Sequence, residues 1–289
     1  MTDLTAESRT FVASDGYPLN VAVWMPASPP RAQVVLLHGV QSHSGWYQNL
    51  GSVLASRGFE VTFPHRRGSG PHTHDRGHAR SASRLLRDLA EWLDRLKLET
   101  PDIPIIVGGI SWGGKLAVVT AARHPAVVSA IALICPGLHP RVGLSLRDKL
   151  AIGWAYLTNR RRTFPIPLSD PALFTASRER QDFIASDPLS LREATAGLLV
   201  ASVVIDCLVR LARRKVHQPA LLMLAGQDRI VDNASTLGYF ERMGSSNKSI
   251  LEYAEGHHTL EFEPDPSRYA LDLADWIDRT CHILRSREP

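Results

Sequence analysis

The chain has 289 residues, 44% hydrophobic and 21% charged, the balance of a soluble globular protein long enough to bury a sizeable core. Its net charge is only +4, and its basic residues gather in two short groups, Arg160-Arg161-Arg162 and Arg213-Arg214-Lys215. No aromatic-rich basic stripe accompanies them, so nucleic acid is not an expected partner; the groups read as solvated helix ends, with contact to an anionic surface as the alternative.

The polar residues 1–9 lack the apolar stretch of a secretory signal. Residues 10–25 read as two strands of a hairpin, with Asp15-Gly16 and Pro26 as breaks around 19–24. A short, wholly apolar run at 34–37 has the pattern of a strand buried on both faces. Further strands are expected at 59–63, 105–107, 130–134, 221–224 and 250–253. Helical patterns fall between them at 46–56, 79–96, 113–124 and 267–284. Strands alternating with amphipathic helices predict an α/β fold, with a mostly parallel central sheet and helices on both faces.

The alternation breaks once. No strand-like run is expected over 138–216, which instead carries a helix with Leu146, Leu150, Trp154 and Leu157 at spacings of three or four, and a second, largely apolar helix at 191–211. The expected organisation is a core made of 1–137 and 217–289, with 138–216 inserted as a helical cap over the C-terminal edge of the sheet. Ligands of open α/β sheets bind at that edge. The longest apolar run, 198–209, is too short to span a membrane and includes Asp206, so stable membrane insertion is not expected. Cys135, Cys207 and Cys281 are far apart and odd in number, which suggests reduced thiols and a cytoplasmic setting.

The chemistry is concentrated in Gly109-Ile110-Ser111-Trp112-Gly113, between a strand and a helix. A serine with glycines two positions away on each side, in that context, marks a nucleophile elbow. Glycine leaves room in a tight turn and permits unusual backbone angles. Gly109 and Gly114-Lys115 also mimic a phosphate-binding loop, but Leu116 stands where that motif needs a hydroxyl for magnesium. A serine nucleophile needs a base, an acid to orient the base, and donors for the oxyanion. Asp228 follows the strand 221–224 and is preferred as the acid over Asp232, whose plainer reading is a loop or helix-capping carboxylate. His257 and His258 follow the last strand, and local spacing does not choose between them. Glu261 and Glu263 behind them read as solvated residues approaching a helix. Backbone N–H groups of Trp112 and Val40 are the expected oxyanion donors. His38 reads as a brace for the Val40 loop.

His72, His74, Asp75 and His78 form a histidine-rich run. Its spacing does not match a two-metal hydrolase, so no metal is expected, and it reads as a polar loop held by Arg66, Arg67 and Arg76.

His38-Gly39-Val40, His43-Ser44-Gly45-Trp46-Tyr47, Arg67-Gly68-Ser69-Gly70, the elbow at Ser111, Gly226-Gln227-Asp228 and Gly256-His257-His258-Thr259-Leu260 occur in an order that resembles the α/β-hydrolase family. Within it, the likeness is to the monoacylglycerol lipase and lysophospholipase branch. The resemblance spans about residues 10–280 and is weak through 138–216. It implies that His258, which begins a His-x-Leu pattern, is the base. It likewise supports Asp228 as the acid and Val40 and Trp112 at the oxyanion hole. One departure is His65, where the family usually has an aspartate; imidazole can donate a hydrogen bond where a carboxylate only accepts.

The function expected is serine hydrolysis of carboxylic esters, hydrophobic or lipid-like, of the monoacylglycerol or lysophospholipid type. It proceeds through an acyl-enzyme on Ser111 and needs no cofactor. Amide or peptide hydrolysis is the alternative, with Glu193 and Asp206 as the only acids on the apolar cap helix to hold an amine. A non-catalytic binding protein on the same scaffold is a third reading, disfavoured because no triad member is missing.

Overall fold

A computed structural model describes residues 4–286. The outer ends of the expected core, 1–3 and 287–289, lie outside the described residues. In chain order the strands are β1 (Glu7–Val12), β2 (Pro18–Trp24), β3 (Gln33–Leu37), β4 (Glu60–Pro64), β5 (Ile105–Ile110), β6 (Val128–Ile134), β7 (Thr163–Pro165), β8 (Glu193–Thr195), β9 (Ala220–Ala225) and β10 (Lys248–Tyr253). Eight of them form one sheet in the order β1-β2-β4-β3-β5-β6-β9-β10. β1 and β2 join antiparallel, and all pairs from β4 through β3 to β10 are parallel.

The helices are α1 (Gln48–Ser56), α2 (Ala82–Glu99), α3 (Gly113–Arg123), α4 (Leu146–Thr158), α5 (Arg178–Ser186), α6 (Ala196–Ala212), α7 (Asn233–Glu241) and α8 (Pro266–Arg285). Side chains of a strand alternate between faces. Val34 and Leu36 of β3 therefore join the core under α1 and α8. Val35 and Leu37 join the opposite core under α2, α3 and α6. All five residues of β3 are buried, as a strand covered on both sides requires.

Several expected boundaries move for local reasons. The helix expected from 79 begins at Ala82, because the Ser81 hydroxyl accepts from Arg84 N and caps it. The helix expected from 46 begins at Gln48, after a 3-10 turn over Ser44–Trp46. α7 was not expected; Asp232 caps it by accepting from Ser235 N.

The stretch between β6 and β9 adds no strand to the eight-stranded sheet. The expectation that it is free of strands is corrected. β7 and β8 pair antiparallel, Thr163 with Thr195 and Pro165 with Glu193. Strands of three residues are too short to show a period in sequence. The helix expected over 191–211 therefore starts only at Ala196, where the Thr195 hydroxyl accepts from Leu198 N. On α4 the expected apolar row faces outward: Leu146, Leu150, Trp154 and Leu157 are all at least 67% exposed, while Ile152 and Ala155 are buried. No helix among the described residues is long and apolar enough to cross a membrane.

Candidate active site

Ser111 sits between β5 and α3 at the C-terminal edge of the sheet, with φ of +51°. Such a conformation in a non-glycine residue costs on the order of 1–3 kcal/mol and persists only where the surroundings enforce it. Here Ser111 N donates to Ile134 O (3.0 Å), and Ser111 O accepts from Gly114 N (2.9 Å) and Gly137 N (2.8 Å). The flanking glycines do one of the two jobs expected of them, leaving room, and not the other. Neither has a positive φ. A Cβ on Gly113 would lie 2.1 Å from Leu37 O, and one on Gly109 would lie 2.5 Å from the Gly114 Cα. The glycines supply space, and the serine itself takes the unusual angle.

The structure brings Ser111, His258 and Asp228 together. Ser111 Oγ lies 2.9 Å from His258 Nε2, and His258 Nδ1 lies 2.8 Å from Asp228 Oδ2. An ionised carboxylate only accepts, so Asp228 selects the Nδ1–H tautomer and leaves Nε2 to accept the serine proton. Asp228 Oδ1 accepts from Ile230 N (2.8 Å) and Val231 N (2.9 Å). Burial raises the pKa of Asp228, but the charge and hydrogen bond of His258 and the amides of Val231 and Ile230 outweigh it and hold it below the ordinary aspartate value. Asp232 is elsewhere, capping α7 and facing Arg141 at 3.6 Å. His257 turns away, its amide and Nδ1 both on Glu263 Oε1.

Val40 and Trp112 both border Ser111 at the floor of one cavity. Their backbone N–H groups have no hydrogen-bond acceptor among the described residues. A Cβ on Gly137 would lie 3.2 Å from Trp112 N, so glycine there keeps that amide approachable. The cavity holds about 550 Å³. Its walls include Ile152 of α4, Ile166 and Leu168, Leu198 and Val203 of α6, and Ile230. No carboxylate among the described residues lines it. Asp206 is paired with Lys115 at 2.6 Å. Glu193 is exposed on β8 instead of lying on the apolar helix.

Other sequence expectations are corrected. Glu261 is buried, not solvated. It accepts from Asn49 N (2.7 Å), Leu50 N (3.2 Å) and the Tyr269 hydroxyl. Burial outweighs those bonds and pushes it up to about 7. Glu263 is the anchor of His257. Of the three arginines expected to hold the histidine-rich loop, Arg76 reaches Gly70 O and the carbonyls of Leu189 and Ser190, and Arg66 touches its approach through Ser69 Oγ. Arg67 is bound by Asp88 and Asp15, and Arg66 turns inward to the Val40 loop. Within the loop, His72 Nε2 accepts from Asn20 N and His78 Nδ1 meets Thr195 Oγ1. No group that could hold a metal ion is found among the described residues.

The brace expected of His38 is present: Nδ1 donates to Gly39 O (2.8 Å) and Nε2 accepts from Arg66 N (3.1 Å). His65 uses both imidazole roles, donating to Asn20 O and accepting from Ser44 N. Burial pushes it down to about 3, so it is neutral. Sequence reasoning missed Asp187, a buried carboxylate in the 138–216 stretch. It accepts from His43 Nε2 (3.0 Å), Trp46 Nε1 (2.8 Å) and Ser190 Oγ (2.7 Å). His43 and Trp46 are more than 140 positions away, so no local signal pointed to it.

The family model described as serine aminopeptidase, S33, matches residues 28–265. The chain belongs to this family. Its fold is the α/β-hydrolase fold, and the monoglyceride lipase-like branch is the part of the family it resembles. It is 25% identical to mouse (Mus musculus) monoglyceride lipase over 92% of this chain and 88% of that one. It is also 25% identical to a monoacylglycerol lipase of Mycolicibacterium smegmatis, over 96% of this chain and 99% of that one. The crystal structure of Paleococcus ferrophilus monoacylglycerol lipase superimposes with a TM-score of 0.81 at 21% identity, covering 91% of this chain and 99% of that chain.

Proposed function

We propose that this protein hydrolyses carboxylic esters with a hydrophobic acyl group through an acyl-enzyme on Ser111. The observation that carries the reading is the unbroken relay Ser111 Oγ–His258–Asp228, at 2.9 and 2.8 Å, opening on an apolar cavity. In the first half-reaction Ser111 Oγ attacks the ester carbonyl and its proton passes to His258 Nε2. Asp228 stabilises the imidazolium that forms. The carbonyl oxygen gains negative charge and is met by the N–H groups of Val40 and Trp112. His258 then gives its proton to the departing alcohol. Water, deprotonated by the same imidazole, releases the acid in the second half-reaction.

In this reading residues 138–216 act as a cap that supplies the acyl-binding walls. A cavity of about 550 Å³ with Ile, Leu and Val side chains suits a lipid-like acyl chain. The names of the relatives agree with a monoacylglycerol or lysophospholipid type of ester. The family description names an aminopeptidase, but a site for an α-amino group needs an acid, and none among the described residues lines the cavity. Rates on an ester and on an aminoacyl anilide separate these two readings. We also propose that the outward row Leu146, Leu150, Trp154 and Leu157, flanked by Arg147 and Arg160, makes peripheral contact with an anionic lipid surface.

A screen of p-nitrophenyl esters of graded chain length, run on the parent and on Ser111→Ala, tests the central reading. The variant should lose about 10⁴-fold or more in kcat while staying folded. Turnover near the parent rate would overturn the acyl-enzyme.

A further inference from the structure

Arg66 follows β4 and is 7% exposed. No carboxylate among the described residues lies within ion-pair distance of it. A buried, unpaired cation is costly, and its contacts indicate what it serves. Nη2 donates to Val40 O (2.8 Å) and Ser69 Oγ (2.6 Å), and Nη1 reaches Gly39 O at 3.4 Å. The guanidinium carbon lies 4.8 Å from the centre of the Trp112 ring. Arg66 N also donates to His38 Nε2, which fixes the tautomer that lets His38 Nδ1 donate to Gly39 O.

The Gly39–Val40 peptide is trans, as are all described peptide bonds. In a trans peptide the C=O and N–H point in opposite directions. The Gly39 carbonyl is turned toward His38 and Arg66, so Val40 N–H points away from them. A carbonyl that accepts from a cation leaves its own amide N–H more strongly polarised. The same guanidinium covers the ring of Trp112, whose N–H is the second donor. One positive charge therefore lies behind the Gly39–Val40 peptide and against the Trp112 side chain, in a water-poor interior where its field is weakly screened.

We propose that Arg66 is a positioning residue for the oxyanion hole, which orients and polarises the Val40 amide through the Gly39–Val40 peptide and fixes the Trp112 side of the hole. The proposal rests on the ester-hydrolase reading above. It distinguishes Arg66 from an arginine that merely packs the fold, because its contribution is greatest when the carbonyl oxygen is charged.

The test uses Arg66→Met, which keeps much of the stem and removes charge and donors, and Arg66→Lys, which keeps the charge. For each, kcat and KM are measured on p-nitrophenyl butyrate, with the inhibition constant of a trifluoromethyl ketone, which forms an anionic tetrahedral adduct with a serine nucleophile. Thermal melts report folding. We expect Arg66→Met to lower kcat about 100-fold, the size of effect seen on losing an oxyanion donor, with KM within about threefold and ketone affinity weakened in step with kcat. Arg66→Lys should recover about tenfold of the loss. A folded Arg66→Met with kcat within about threefold of the parent overturns the proposal. If Arg66→Met does not fold, Arg66→Lys decides: a kcat loss of about tenfold at unchanged KM supports the proposal, and parent-like kcat overturns it. A parent that hydrolyses no ester and forms no ketone adduct rejects the ester-hydrolase reading and this proposal with it. An active parent indifferent to Arg66 rejects only the role of Arg66.

Discussion

The sheet edge around Ser111 and the stretch 138–216 are built on different terms. At the edge, backbone atoms hold the geometry: Ser111 exchanges bonds with Ile134, Gly114 and Gly137, and Asp228 takes two amides besides its histidine. In 138–216 the surfaces are made by side chains. Side-chain contacts tie it to the core, among them Asp187 to His43 and Trp46, Ser202 to the Trp112 indole, and Asp206 to Lys115, beside backbone bonds such as Leu191 N to Gln41 O and Thr195 N to Gly77 O. Its outer face leaves large apolar groups in water. The contrast teaches a division of labour. Bond making needs positions fixed to a fraction of an ångström, which backbone bonds supply. Recognition of a hydrophobic chain needs shape and area, which side chains supply and can vary.

The contrast breaks most visibly at the relay. Asp228→Asn removes the acceptor that selects the His258 tautomer, so kcat should fall by about 10³- to 10⁴-fold. KM for a long-chain ester should stay within a few-fold, because the cavity walls are untouched. Steady-state kinetics check this, and a comparable rise in KM would show that the two regions are not separable. Asp187→Ala strikes the tie between them. It leaves the buried donors of His43, Trp46 and Ser190 unmet, at about 1–3 kcal/mol. Denaturant melts should show that loss, and KM should rise for long-chain esters more than for acetate. Equal effects on both chain lengths would place Asp187 with the chemistry instead.

Trp154→Glu tests the outer face alone. Sedimentation with vesicles containing anionic phospholipid should fall several-fold, while kcat/KM on a soluble short ester stays within about twofold and stability within about 0.5 kcal/mol. Unchanged sedimentation would remove α4 as a lipid contact. An effect on stability alone is expected at Glu261, which ties the His258 loop to the start of α1. Its folded pKa is raised to about 7 from 4.5. Between those values the folded protein keeps a proton that the unfolded chain has released, so this group's contribution to stability falls as pH rises through the window and levels above it. The difference in unfolding free energy between parent and Glu261→Gln should therefore change between pH 4.5 and 7, by at most on the order of 3 kcal/mol. A difference that is flat with pH contradicts this.

Sequence alone pointed to most of the sheet, to Ser111 and to Asp228, because their signals are local. Wholly apolar runs mark buried parallel strands, and glycines around Ser111 mark close approach. Asp228 and His258 sit just past strand ends, where the fold has to bring them to one rim. The choice of His258 over His257 came from family resemblance, and its physical reason is Glu263, which takes His257 out of the site. What stayed hidden depends on distant partners. Glu261 looked solvated because Asn49 lies 212 positions away. Arg66 looked like part of a polar loop because only the fold sets it beside Val40. β7 and β8 are too short to carry a pattern. α7 had a usable signal in Asp232, a capping residue ahead of a helical run.

The most direct measurement is to map the covalent adduct left by a fluorophosphonate probe on the intact protein. One adduct on the peptide containing Ser111, absent from Ser111→Ala and slow to form in Asp228→Asn, is the result expected. Labelling at another residue, or labelling that persists in Ser111→Ala, would contradict the account.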